Sequence, residues 1–157
     1  MSVKCTSDLN IDSELIIVKE HVRDREEILA KLAGLLYHKG YVKESFLSAV
    51  LKREQEFPTG LQTRITGVAI PHTDSEHVVR PALAVATLAS PVQFHSMELP
   101  EKRIPVEIVL MLAIKKAEAQ LDVLKRVMGI LNNEKLLRFL LSASKPDQLA
   151  TTLADIF

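Results

Sequence analysis

Apolar positions recur along this chain with two different periods, and the change of period marks its elements. Leu15-Ile16-Ile17-Val18 is a β-branched run of strand length. From Asp24 to about His38 the apolar residues Ile28, Leu29, Leu32, Leu35 and Leu36 fall at helical spacing. Asp24, Glu26 and Glu27 favour the start of that helix through its dipole, and Gly40 can end it. A second helix is predicted over about Lys43 to Gln55, with Phe46, Leu47, Val50 and Leu51 inward. Phe57-Pro58-Thr59-Gly60 breaks it. The period then shortens. Val68-Ala69-Ile70, Leu83 to Leu88 and Val106 to Ala113 read as buried strands.

Helical spacing returns from Leu121 to Leu131, with Leu121, Leu124, Val127, Met128 and Leu131 predicted on one face. Glu134 to Leu141 and Asp147 to Ile156 follow as two more helices, hinged at Ser144 to Pro146. The order is strand, two helices, several strands, three helices. It predicts an α/β fold, a three-layer α/β/α sandwich with a mixed β-sheet flanked by helices. At 157 residues, without a repeat or a low-complexity linker, one domain is expected over 1–157, with its core at about 11–156.

Composition narrows the function classes. Lys plus Arg equals Asp plus Glu at 20 each, which argues against a whole-molecule electrostatic grip on nucleic acid or anionic membrane. Aromatic residues make up only 4% and Trp is absent, so stacking platforms for bases are not expected. The longest charge-free stretch, Pro81 to Met97, holds Pro81, Pro91, Gln93 and His95 and makes a poor membrane span. The start, MSVKCTSDLN, has no apolar core of signal-peptide type. With Cys5 as the one cysteine, no internal disulfide can form. A cytoplasmic protein is expected.

The chemistry concentrates in two segments. In Gly67 to Asp74, "GVAIPHTD", a buried strand halts at Pro71 and His72 follows. Pro71 fixes one backbone torsion just before the imidazole, which suits a side chain that must be aimed. A neutral imidazole can act as a nucleophile or bind a metal. For the metal there are His72 and His77, five apart, with Asp74 and Glu76 between them, and His95 further on. There is no HExxH pattern, and this spacing alone is weakly specific. Asp74-Ser75-Glu76-His77 also reads as a cap for a helix starting near Ser75.

The second segment, Arg53 to Gly60, "REQEFPTG", ends a helix in a turn. Arg53 offers a planar cation suited to phosphate, Thr59 a hydroxyl, and the turn its backbone N–H groups. An ordinary helix-terminal arginine and ordinary capping would look the same locally.

Taken together, "REQEFPTG", "GVAIPHTD", "PVQF" and "AQLDVLKRVMGIL" resemble the IIA component of the phosphoenolpyruvate-dependent sugar phosphotransferase system, of the fructose and mannitol type. The resemblance covers nearly the whole chain in order. "REQEFPTG", His77 and the glutamine of "AQLDVL" are most similar to galactitol-type members.

The resemblance implies the mixed-sheet fold and a phosphoryl relay. His72 would accept a phosphoryl group from phospho-HPr and hand it to a cysteine of the IIB component, which serves a IIC membrane permease. Arg53 would support the phosphoryl group, with Thr59 as a possible donor. No cofactor or metal is implied. Mannitol- and fructose-type members carry a second active-site histidine where this chain has Gln120. Gln120 can donate a hydrogen bond but carries no positive charge. Either Gln120 or His77 would fill that supporting role, and position favours Gln120.

The residues leave Asp74 or a backbone carbonyl as the group that orients His72. With no Gly-rich nucleotide loop, ATP is not the expected donor. Phe57, Leu61, Val78 and Val79 are candidates for an apolar docking rim. The role that the resemblance implies is uptake and phosphorylation of a galactitol-like sugar alcohol. The alternative is a regulatory relative that binds a regulator instead of serving a transporter.

Overall fold

The computed structural model describes residues 9–157, so Cys5 lies outside the described residues. Its centre is the antiparallel pair β4 (Ala82–His95) and β5 (Arg103–Ala113). Parallel β1 (Ile16–Glu20) lies against β4. On the other side β5 pairs in parallel with β3 (Gly67–Ala69), and β3 pairs antiparallel with β2 (Gly60–Gln62). The sheet order is therefore β1-β4-β5-β3-β2.

Alternation along β4 and β5 sorts side chains onto two cores. Ala82, Ala84, Ala86, Val109, Met111 and Ala113 face α1 (Arg25–His38) and α2 (Phe46–Glu56), meeting Ile28, Leu29, Leu32 and Phe46. Leu83, Val85, Ile108, Leu110 and Leu112 face the other way. They meet α3 (Ala117–Leu131), α4 (Glu134–Ser142) and α5 (Pro146–Ala154). Both faces are covered, which is why these strands read as near-continuous apolar runs. The expected α/β/α sandwich with a mixed sheet is the observed architecture.

Several local expectations change. Ser13–Leu15 forms a 3-10 turn before β1. α2 begins at Phe46, three residues later than the apolar spacing suggests. β4 runs on past Leu88 and through Pro91, with a register shift between Thr87 and Val92 that absorbs the proline. β2 was not expected. It starts at the last residue of the predicted turn, where Gly60 lets the chain pass close to β4: a Cβ there would lie 2.6 Å from the His95 carbonyl oxygen. No α-helix starts at Ser75; Ser75–His77 is a single 3-10 turn whose Asp74 side chain makes no capping bond. Pro146, expected in the hinge, is the first residue of α5, where its missing N–H costs nothing.

α3 is rotated from the expected face. Ala119, Val123, Val127, Ile130 and Leu131 are buried, while Leu121 and Met128 are exposed. Among the described residues no helix is long and apolar enough to cross a membrane.

Candidate functional site

The parallel strands β3 and β5 end at the same edge of the sheet, and three segments meet there. Beyond β3 the chain stays pinned to β5, because Leu112 N–H donates to the Pro71 carbonyl at 3.0 Å. His72 therefore emerges from a fixed point. α2 delivers Arg53 from its last turn, and α3 starts beside them after β5. Crevices at the carboxyl ends of parallel strands are recurrent ligand sites in α/β folds.

His72 is half-buried, and its Nδ1 lies 2.8 Å from the Ile70 carbonyl oxygen. A carbonyl only accepts, so Nδ1 carries the proton and Nε2 keeps its lone pair. The group that orients the ring is thus a backbone carbonyl, one of the two alternatives the sequence left open. Burial pushes the imidazole pKa down, and the Arg53 charge adds to that; the Ile70 hydrogen bond and Asp74 pull the other way. The net result is a ring held neutral at physiological pH.

His72 shares a depression of about 270 Å³ with Arg53, Thr73, Asp74, Ser75, Lys116 and Gln120. Arg53 is loosely held. One terminal nitrogen sits 3.8 Å from Asp74, its guanidinium lies 5.3 Å from the Phe57 ring centroid, and its buried Nε has no hydrogen-bond partner among the described residues. Lys116 occupies the N-cap of α3 without a side-chain cap, so the positive end of the α3 dipole is open toward the depression. The basin thus offers Arg53, Lys116, a helix N-terminus and the Gln120 amide around one neutral imidazole.

Of the residues singled out in the sequence, His72, Arg53 and Gln120 come together. His77 does not line this depression. It lies in the adjacent one with Lys52 and Phe57, which Arg53, Thr73 and Asp74 line as well, and its Nδ1 is 2.8 Å from Ser45 Oγ. Thr59 faces inward: it is 3% exposed, its hydroxyl donates to Glu54 at 2.9 Å, and it accepts from Ile70 N–H at 3.1 Å. Its one proton is committed to Glu54, so the structure places it behind the histidine and not in the basin.

His95 lies at the far end of β4, paired with Arg103, and does not line the depression around His72. Among the described residues no group of three or more His, Cys, Asp or Glu is placed to hold a metal.

Two of the four expected rim residues are exposed, Phe57 at 61% and Val79. Val78 is fully buried in the core, and Leu61 packs partly buried on the opposite face of the sheet. Sequence reasoning missed Lys116, which lines the depression, and the 63% exposure of Leu121 next to Gln120 in α3. Lys116 had a signal in its position just ahead of the predicted helix. Leu121 had none, because α3 has apolar residues on more than one face.

The chain matches, over residues 10–156, the family profile described as phosphoenolpyruvate-dependent sugar phosphotransferase system, EIIA 2. It is 27% identical over 119 residues to the galactitol-specific EIIA component of Escherichia coli strain K12, covering 76% of this chain and 79% of that protein. It is also 27% identical over 149 residues to the mannitol-specific phosphotransferase enzyme IIA component of Halalkalibacterium halodurans, covering 93% and 95%. Among solved structures, the Escherichia coli complex of mannitol enzyme IIA with phosphorylated enzyme IIB contains a similar fold. Its TM-score is 0.76 at 21% identity, over 94% of this chain and 99% of that one. With the family profile spanning nearly all of it, the chain belongs to the EIIA type 2 family of the sugar phosphotransferase system and is a phosphotransferase component.

Proposed function

We propose that His72 is the phosphoryl acceptor, taking the group on Nε2 from phospho-HPr and passing it to a cysteine of a cognate IIB component. The observation that carries this is the Nδ1–H bond to the Ile70 carbonyl. It leaves Nε2 as the one nucleophilic ring atom, on a neutral imidazole, in a basin lined by Arg53, Lys116 and Gln120.

In the first step the Nε2 lone pair attacks phosphorus. The P–N bond to the carrier histidine breaks, and its electron pair returns to that ring. In the second, a cysteine thiolate attacks phosphorus and the Nε2–P bond breaks, restoring neutral His72. The proton stays on Nδ1 throughout, donated to the Ile70 carbonyl, and that hydrogen bond stabilises the cationic character that the ring gains when phosphorylated. Phosphoryl transfer needs alignment and charge compensation more than covalent help. Arg53 supplies charge, while Gln120 and the first turn of α3 supply neutral dipoles. Gln120 takes the supporting position because it shares the basin and His77 does not.

The galactitol-type likeness supports uptake of a sugar alcohol, and it rests on sequence similarity to the galactitol relative. Phe57 and Leu121 flank the basin as exposed apolar contacts for two proteins docking in turn. The test is incubation with phosphoenolpyruvate, Enzyme I and HPr, followed by mass measurement and then addition of galactitol-, mannitol- and fructose-type IIB proteins. Wild type should gain one acid-labile phosphoryl group and lose it to the galactitol-type IIB fastest, and His72→Ala should gain none. Equal labelling of the variant would overturn the assignment.

A further inference from the structure

Directly behind the site lies a carboxylate that the reaction as written does not use. Glu54 follows Arg53 in α2 but points the opposite way and is 2% exposed. Two donors from one residue converge on it: Thr59 N–H on Oε2 at 2.8 Å and the Thr59 hydroxyl on Oε1 at 2.9 Å. The same hydroxyl oxygen accepts from Ile70 N–H at 3.1 Å, and the Ile70 carbonyl accepts from His72 Nδ1 at 2.8 Å. Ile70 is thus held at both of its backbone groups, one by Thr59 and one by the imidazole.

We propose that Glu54 is a positioning residue for His72, acting through the Thr59 hydroxyl and the Ile70 backbone to hold the ring in the tautomer with the proton on Nδ1. This rests on the reading of His72 as phosphoryl acceptor, but its structural half stands apart from that reading. By accepting the hydroxyl proton, Glu54 leaves the Thr59 oxygen free to accept from Ile70. That bond fixes the residue whose carbonyl aims the imidazole, and aligned bonds in a low-dielectric interior polarise one another. An amide at position 54 would place a donor against one of the two converging donors, so Glu54→Gln breaks half of the anchor. Thr59→Val keeps the shape and removes the relay, whereas Thr59→Ser keeps the hydroxyl.

The experiment is a heteronuclear NMR titration of the wild-type protein. It follows the Glu54 carboxyl, the Ile70 amide and both His72 ring nitrogens. The charges of Arg25 of α1 and Arg53 of α2 act on Glu54 from a distance, and burial raises its carboxyl to about 7; burial, with the charge of Arg53 and against the Ile70 bond and Asp74, holds His72 below its usual 6.5. Each group is followed through its own nuclei, so the two titrations are read separately. The expected result is that Ile70 N–H and His72 Nδ1 both carry an inflection at the Glu54 midpoint. Insensitivity of both to Glu54 would overturn the proposal.

In Thr59→Val the second His72 tautomer should appear. Phosphoryl uptake from phospho-HPr should slow about 10- to 100-fold, the range seen for outer-shell partners of metal-bound histidines, with KM for the carrier unchanged. Thr59→Ser should restore both. A folded Thr59→Val with one tautomer and an unchanged rate would also overturn it, and if that variant does not fold the wild-type titration decides. Coupled titration in a wild type that takes no phosphoryl group would sink the acceptor reading and leave the positioning network standing.

Discussion

Arg53 and Glu54 are neighbours in the chain and opposites in circumstance. Arg53 stands at the front of His72, half-exposed, 3.8 Å from Asp74 and stacked near Phe57. Glu54 stands at the back, buried, with three donor–acceptor distances to Thr59 between 2.8 and 3.2 Å. One helix end thus serves a loose side and a tight side. The loose side meets a phosphoryl group that comes and goes, so a weak resident partner is an advantage. The tight side holds the backbone that aims the ring, where slack would misplace Nε2.

The sharpest break in that contrast is at the front. Arg53→Gln should slow phosphoryl uptake by roughly 10²–10³-fold, by analogy with loss of one preorganised charge-stabilising donor. Stability should change little, because Arg53 makes no tight bond. Single-turnover labelling and thermal melting on the same sample test the split. A large loss of stability would show that Arg53 belongs with the tight side.

The back should reveal itself through pH. Burial, opposed by the Thr59 bonds and by Arg25 and Arg53, pushes the Glu54 carboxyl from 4.5 up to about 7. Between those values the folded chain holds a proton that the unfolded chain has lost. The contribution is fully present below pH 4.5 and is lost as pH rises through about 7, with an upper bound of about 3 kcal/mol. Denaturant unfolding across that range should show wild-type stability falling with pH and Glu54→Gln lacking that component. His72 acts in the opposite sense. Its folded pKa lies below 6.5, so its contribution is present above 6.5 and is lost as pH falls. His72→Gln in the same series separates the two.

The smallest effect is expected beside the basin. His77→Asn should leave phosphoryl uptake within about a factor of two, because its ring is bonded to Ser45 and lies outside the depression that His72 lines. A loss like that of Arg53→Gln would move His77 into the machinery.

The front was legible in the sequence and the back was not. His72 follows a strand and a proline, Arg53 ends a helix, and Gln120 starts one, so each signal lies within its own segment. In the sequence Thr59 reads as one possible donor to a phosphoryl group, because a hydroxyl in a turn resembles one. Its hydrogen-bond partners, Glu54 and Ile70, are fixed by tertiary packing across two elements, which residue spacing does not encode. Strand β2 was hidden for a related reason: Pro58 and Gly60 signal a turn, while the close pass under β4 that makes Gly60 necessary is a long-range contact. On α3, Leu121, Val123, Leu124, Val127 and Met128 support more than one apolar face, and only packing against the sheet selects Val123 and Val127.

The account turns on which nitrogen of His72 reacts. Nitrogen-15 and phosphorus-31 NMR of the protein phosphorylated by phospho-HPr reads this directly. Phosphorus bonded to Nε2, with a proton retained on Nδ1 and shared with the Ile70 carbonyl, is the predicted result. Phosphorus on Nδ1, or on a residue other than His72, would contradict it.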